Sequence, residues 1–324
     1  MTSSIKDWLA ALLFLSLLFL FLGVDFTALA SLHMSIAPDW RNMIVMFLSV
    51  FLEAMPFVIV GVFASACIQT FISEAQIKRL IPKFPVVGIL PAACIGLIFP
   101  MCECVIIPVV RRLIQKGLPV HLGIVMIVSV PILNPIVFAS TYYAFRSTPQ
   151  MAYDRMVVAG ISAILIGVAM YILYTERKDV LQPYEEQVEV THVHGRFFTT
   201  MHHAADEFFE AGKYVVIGAF VASIFQTFLS RDVLTSFAAN EFVSPFIMMV
   251  FAYILSLCSE ADAFIAASLQ HAFPAKPLLA FLVFGPMLDF KNTLMLFAYF
   301  KKKFAFVLIG VISIIVYLVS ILYR

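Results

Sequence analysis

The sequence predicts an all-α, polytopic membrane protein of about 7–9 apolar segments, arranged as two homologous repeats with broken or re-entrant helices inside them. Three observations carry this expectation. Apolar residues make up 62% of the 324 residues and charged residues 13%, with a mean hydropathy of +1.00, whereas a soluble domain carries about a quarter charged residues. Apolar runs of spanning length recur at 8–28, 42–72, 86–110, 120–145, 157–174, 208–229, 242–270, 276–300 and 303–323. Finally, residues 51–73 reappear without a gap at 208–230.

In that alignment ten of 23 columns are identical: Phe51/Phe208, Glu53/Glu210, Ala54/Ala211, Val58/Val215, Gly61/Gly218, Phe63/Phe220, Gln69/Gln226, Thr70/Thr227, Phe71/Phe228 and Ser73/Ser230. Apolar composition matches Leu with Ile by chance, but it does not put Glu, Gln, Thr and Ser in register. Duplicated membrane units are what many transporters are built from.

Taken in order, the first segment has Lys6, an apolar run from Trp8 to Val24 and Ala28-Leu29-Ala30, which together resemble a secretory signal. The run is longer than a usual signal core, so residues 1–39 are expected to keep an N-terminal transmembrane helix. The first membrane repeat is expected over 40–174 and the second over 208–324. Between them, 175–207 holds three Lys/Arg against seven Asp/Glu and is read as a solvated, mobile cytoplasmic linker. The protein belongs, on this reading, in the plasma (inner) membrane, with the lipid bilayer as its first partner.

Loop charges discriminate between threadings. If all nine segments cross, with the N-terminus inside and intramembrane Lys291 left out, ten basic residues lie on each side. If 86–110 and 242–270 instead enter and return on one side, 14 lie inside and 6 outside. The re-entrant threading places Lys116 and Lys178 inside and Arg155 outside. It also makes the first helix of one repeat run opposite to its copy, which is an inverted repeat, the arrangement that sets a solute site near the midplane.

The chemistry-bearing residues fall where the hairpins should break. Pro100-Met101-Cys102-Glu103-Cys104 and Pro108 interrupt the first, and Cys258-Ser259-Glu260-Ala261-Asp262 stand at the matching place in the second. Prolines free backbone carbonyls, which survive at membrane depth only against protein or a water-filled cavity. An intramembrane glutamate between two cysteines needs a partner, and two thiols with a carboxylate offer soft and hard ligands to one ion. Cys102, Glu103, Cys104 and Cys258 are therefore candidate metal ligands. Pro131-Ile132-Leu133-Asn134 faces Pro286-Met287-Leu288-Asp289, and Lys291 follows. Discontinuous helices of this kind present half-helix ends to a solute, so Asn134, Glu260, Asp262, Asp289 and Lys291 join the candidate solute-binding set. Two residues apart, Asp289 and Lys291 do not share a helix face. Lys291 is expected to pair through the break or with Glu260 or Asp262.

Other features have blander readings. Cys67 and Cys94 are small apolar fillers, and Glu53 and Glu210 are read equally as interfacial or functional. Gly61-x-x-x-Ser65 and Gly218-x-x-x-Ala222 are spacings for close helix contact. His192, His194, His202 and His203 sit in the polar linker, where a solvated loop is the plain reading. No H-E-x-x-H, phosphate-loop lysine, G-x-S-x-G or G-x-G-x-x-G occurs, so the chain is not read as an enzyme, and no cofactor is expected. A net charge of +1 with no basic tract gives no reason to expect nucleic acid.

The succession Pro100-x-Cys102-x-Cys104-x-x-x-Pro108, Lys116-Gly117-x-Pro119 and Pro131-x-x-Asn134-Pro135 resembles the YraQ/ArsP-type predicted permeases, over about Trp40 to the end. The resemblance implies transport without a nucleotide site, membrane cysteines that handle trivalent organoarsenicals in one branch, and in some members a separately encoded membrane subunit. It carries the cysteine role to Cys102 and Cys104, less directly to Cys258. The chain departs from the pattern by placing Glu103 where a small residue is usual, and by its Glu260, Asp262, Asp289 and Lys291. The expected function is thus a permease for a thiophilic solute, a transition-metal species or a trivalent arsenical. The alternative is a non-transporting or channel-like subunit of a larger membrane complex.

Overall fold

The computed structural model describes residues 38–71, 85–98, 101–174, 180–182, 196–228 and 240–323. The N-terminal helix expected over 1–39 falls outside these residues apart from its last two positions. Among the described residues twelve α-helices form, in two successions of six. The first comprises α1 (Pro38–Phe71), α2 (Ile89–Ile98) after a 3-10 turn, α3 (Glu103–Gln115), α4 (Val120–Ser129), α5 (Pro135–Ala144) and α6 (Gln150–Tyr174). The second comprises α7 (Arg196–Phe228), α8 (Val243–Leu255), α9 (Ser259–Ser268), α10 (Ala275–Met287), α11 (Phe290–Tyr299) and α12 (Lys302–Leu322).

Two helix bounds correct the sequence reading. Helix α7 starts at Arg196, inside the stretch read as linker, and α6 starts at Gln150 rather than 157. Its polar first turns, with Asp154 and Arg155, hid that start. The middle of the linker is also held: the Lys301 amide donates to Val180 O (2.9 Å) and the Gln182 amide to Tyr299 O (3.0 Å).

Trp40–Cys67, Gln150–Tyr174, Ala275–Tyr299 and Lys302–Leu322 are helical stretches long and apolar enough to cross a membrane. The ten-residue helices α2, α4 and α5 reach only about 15 Å each, half the hydrocarbon core. They work in pairs.

Directions follow from side-chain neighbours. Gly123 of α4 faces Val110 and Ile114 of α3 across a tight turn, so α3 and α4 are antiparallel. Ile89 and Val125 both flank Gly167, while Gly96 abuts Val130 and Leu133, so α2 runs parallel to α4. The chain must therefore reverse between α2 and α3, as the re-entrant reading requires. The second set does the same. Glu241 pairs with Lys276 at the starts of α8 and α10, Phe251 packs on Phe281, and Ala252 neighbours Gly285, so the chain reverses between α8 and α9. By contrast α4 and α5 continue in one direction along α6: His121 meets Tyr171 and Thr141 meets Arg155.

Corresponding helices of the two sets run antiparallel in two places. Phe47 touches Phe220 while Val58 and Val62 cluster with Phe208, which opposes α1 to α7. Tyr174 touches Phe304 while the Tyr323 hydroxyl donates to Asp154, which opposes α6 to α12. Between them the sets exchange partners: α3 packs on α11, and α9 on α5. Large apolar side chains such as Val60, Ile172, Phe306 and Leu322 cover the outside, the surface expected of a protein solvated by lipid.

Candidate functional site

Four helix N-termini are generated by the breaks, and three of them are capped by a side chain from the sequence just before. Asn134 caps α5 by accepting from the Val137 amide (2.9 Å). Asp289 caps α11 by accepting from the Asn292 amide (2.6 Å). Cys258 caps α9, its sulfur accepting from the Ala261 amide (3.4 Å). Cys102 stands at the cap of α3 without a side-chain bond there. The matching positions Asn134 and Asp289 thus share one structural duty, because short polar side chains satisfy the first free amides of a helix.

Carbonyls at the breaks are met as well. Past the end of α4, Pro131 O accepts from the Asn134 amide group (3.3 Å). Pro286 leaves Leu282 O without its helical donor, and Arg155 Nε supplies one at 3.1 Å. The same guanidinium donates to Thr141 Oγ1 (2.6 Å) and Ser259 O (3.0 Å), joining α5, α9 and α10 around one fully buried side chain. Arg155 is therefore not the outside loop charge of the sequence tally. Gln226, one of the repeated residues, donates to Leu255 O (3.2 Å) where α8 ends.

A charged chain crosses the two sets. Lys291 Nζ lies 3.8 Å from Glu103 Oε1 and 3.5 Å from Asp289 Oδ2. The Ser256 hydroxyl donates to Asp289 Oδ2 (2.7 Å) and accepts from the Lys291 amide (3.2 Å). Ser256 has φ 50, the left-handed region that a side chain enters at a penalty. Glu103, Asp289 and Lys291 are all at most 2% exposed. Lys291 therefore pairs through the break and also with Glu103, not with Glu260 or Asp262.

The remaining candidates are distributed around this chain. Cys104 is buried among Val58, Val62 and Val215, with Cys102 packed beside it, and the two thiols interact with each other. The Cys258 thiol donates to Glu53 Oε1 (2.8 Å), which gives one of the repeated glutamates a partner. Glu260 is half-buried and accepts from the Ser259 hydroxyl (3.3 Å). Asp262 is 1% exposed beside Gly285, and neither of its oxygens has a hydrogen-bond partner. Among the described residues no three His, Cys, Asp or Glu side chains gather as a group that could hold a metal ion. Cys102, Glu103, Cys104 and Cys258 thus ring the centre without converging on a point.

Sequence reading missed Arg155, Thr141 and Ser256. The signal for Arg155 was present: a proline inside an apolar helix demands a donor for the carbonyl four residues back, and an arginine at membrane depth demands acceptors.

Helices of spanning length around a buried polar centre built from helix breaks are those of a multi-pass cell-membrane protein, and its family and relatives make it a permease rather than an enzyme. The chain belongs to the ArsP family, described as predicted permeases, whose profile matches residues 39–324. The UPF0718 protein YcgR of Bacillus subtilis is 43% identical over 282 residues, covering 86% of this chain and 95% of that protein. A Streptococcus mutans protein named as a two-component membrane permease complex subunit is 37% identical over 273 residues, covering 83% of this chain and 91% of that protein. No solved structure matches the chain significantly.

Proposed function

We propose that the chain moves a thiophilic solute, a transition-metal species or a trivalent arsenical, through the centre where both hairpin breaks meet the break at Asp289. The observation that carries the reading is the Glu103–Lys291–Asp289–Ser256 chain, which joins both hairpin breaks and one discontinuous span and has Cys102, Cys104 and Cys258 next to it. Buried charge of this kind is expensive in a membrane and marks solute pathways, and paired thiols select soft ions. The antiparallel course of α1 and α7, and of α6 and α12, supports an inverted repeat of 40–174 and 208–324. Such a repeat exposes a central site to each side in turn when its halves rock.

The test is flux. Purified protein in lipid vesicles is given Cd2+, Zn2+ or phenylarsine oxide, and uptake is compared with Glu103→Gln. Saturable uptake of at least one of the three that Glu103→Gln removes is expected. Vesicles no more permeable than empty ones would favour the second reading, a subunit that acts only with a membrane partner. That reading draws on the Streptococcus mutans relative's name.

A further inference from the structure

The buried centre holds three carboxyl groups and two cations. Glu103, Asp262 and Asp289 are 1%, 1% and 0% exposed, against Lys291 at 2% and Arg155 at 0%. Arg155 is occupied by two carbonyls and a hydroxyl. Arg111 and Arg112 sit some two turns along α3 from Glu103, about 12 Å away, with Arg111 over the Tyr299 ring. Among the described residues, Lys291 is the cation paired with the carboxylates at the break. It holds them loosely: 3.8 and 3.5 Å exceed the roughly 2.7–2.9 Å of a direct charged hydrogen bond. Glu103 Oε2, buried, has no hydrogen-bond partner.

We propose that Glu103 and Asp289 form a transit site for a metal cation, and that the Lys291 ammonium is its tethered occupant, displaced when the solute arrives. This rests on the permease reading and selects the cationic solute over the neutral arsenical. The ammonium already stands where a cation would, between one carboxylate from each set, and the unpartnered Glu103 oxygen offers a ligand that Lys291 does not use. Two carboxylates without a third ligand group suit passage rather than a resident metal. Lys291 is positioned from a separate helix. Its stem packs on Gly218 of α7, where an added Cβ would come within 2.2 Å of Lys291 Cγ. That repeated glycine therefore leaves room for the lysine.

The test is binding, measured by calorimetry on the full-length protein in detergent. Cd2+ is the cationic probe and phenylarsine oxide the neutral one. Lys291→Met should bind Cd2+ about tenfold tighter than the parent or better, the factor that ~1.4 kcal/mol of relieved competition gives. Lys291→Met/Glu103→Gln should lose that gain, and phenylarsine oxide should bind parent and Lys291→Met alike. Gly218→Ala keeps every charge but pushes the lysine stem aside, so it should shift Cd2+ affinity in the same direction. It carries the test if Lys291→Met does not fold. The proposal is overturned if neither folded variant gains, if the gain survives Glu103→Gln, or if phenylarsine oxide gains equally. Binding is read without flux, so a chain that transports nothing could still show this pattern, and the permease reading would then fail alone.

Discussion

Arg155 shows how much one side chain decides at membrane depth. A single proline, Pro286, leaves a carbonyl that lipid cannot satisfy, and the guanidinium that answers it also fastens α5 and α9. Ser256 is the opposite case, a residue held against its backbone preference. Its positive φ favours glycine, while its hydroxyl ties Asp289 and the Lys291 amide together. Ser256→Ala keeps the strained backbone and loses a hydrogen bond to a charged group, a loss of roughly 1.5–3 kcal/mol. Ser256→Gly loses the same bond but recovers roughly 1–2 kcal/mol of backbone penalty. Thermal unfolding in detergent should therefore rank the parent first, then Ser256→Gly, then Ser256→Ala. An alanine variant at least as stable as the glycine variant would show that the backbone at this break carries no strain.

Among the elements, the breaks were legible and their partners were not. Prolines 131, 135 and 286 announce interruptions in apolar runs, and matching Asn134 with Asp289 already marks equivalent positions. Which helix answers which break depends on packing between the sets, and periodicity within one segment does not encode that. Lys291 is expected from the sequence to pair through the break or with Glu260 or Asp262, and the structure sets it beside Asp289 across the break and beside Glu103 of the other set. Glycine shows the same limit. The Gly61-x-x-x-Ser65 spacing predicts a close contact, and the structure supplies the partner, Val105 of α3, with a Cβ on Gly61 falling 2.0 Å from its Cγ1. Gly61→Ala should destabilise the protein by roughly 1–3 kcal/mol through overpacking. Adding Val105→Ala, which empties the contested space, should restore part of the loss. A double variant no better than the sum of the singles would place the clash elsewhere.

At the scale of the whole molecule, the duplication visible at 51–73 and 208–230 becomes two successions of six helices with antiparallel counterparts. Charge counting favoured the re-entrant threading although it set Arg155 outside as a loop charge; that side chain is wholly buried, and without it the re-entrant tally is 14 inside and 5 outside. The chain reversals at both hairpins give that threading separate support. They place Lys116, in the turn after α3, on the opposite side of the membrane from Arg146, in the exposed turn after α5, because α4 and α5 continue in one direction between them. Single cysteines introduced at these two positions, in a chain freed of its own thiols, should label from opposite faces of intact cells, with Arg146 outside. Labelling of both from one face would remove the inverted repeat, and with it the reason for a solute site at the centre.

The most direct measurement is solute flux through the thiols themselves. If Cys102 and Cys104 only fill space, Cys102→Ala/Cys104→Ala loses a little packing and transports as before. If they pass a soft ion along, no apolar residue replaces the donor. The double variant, present in vesicles at the parent's level, should then lose whichever saturable uptake of Cd2+, Zn2+ or phenylarsine oxide the parent shows. Uptake unchanged from the parent would contradict the thiophilic pathway.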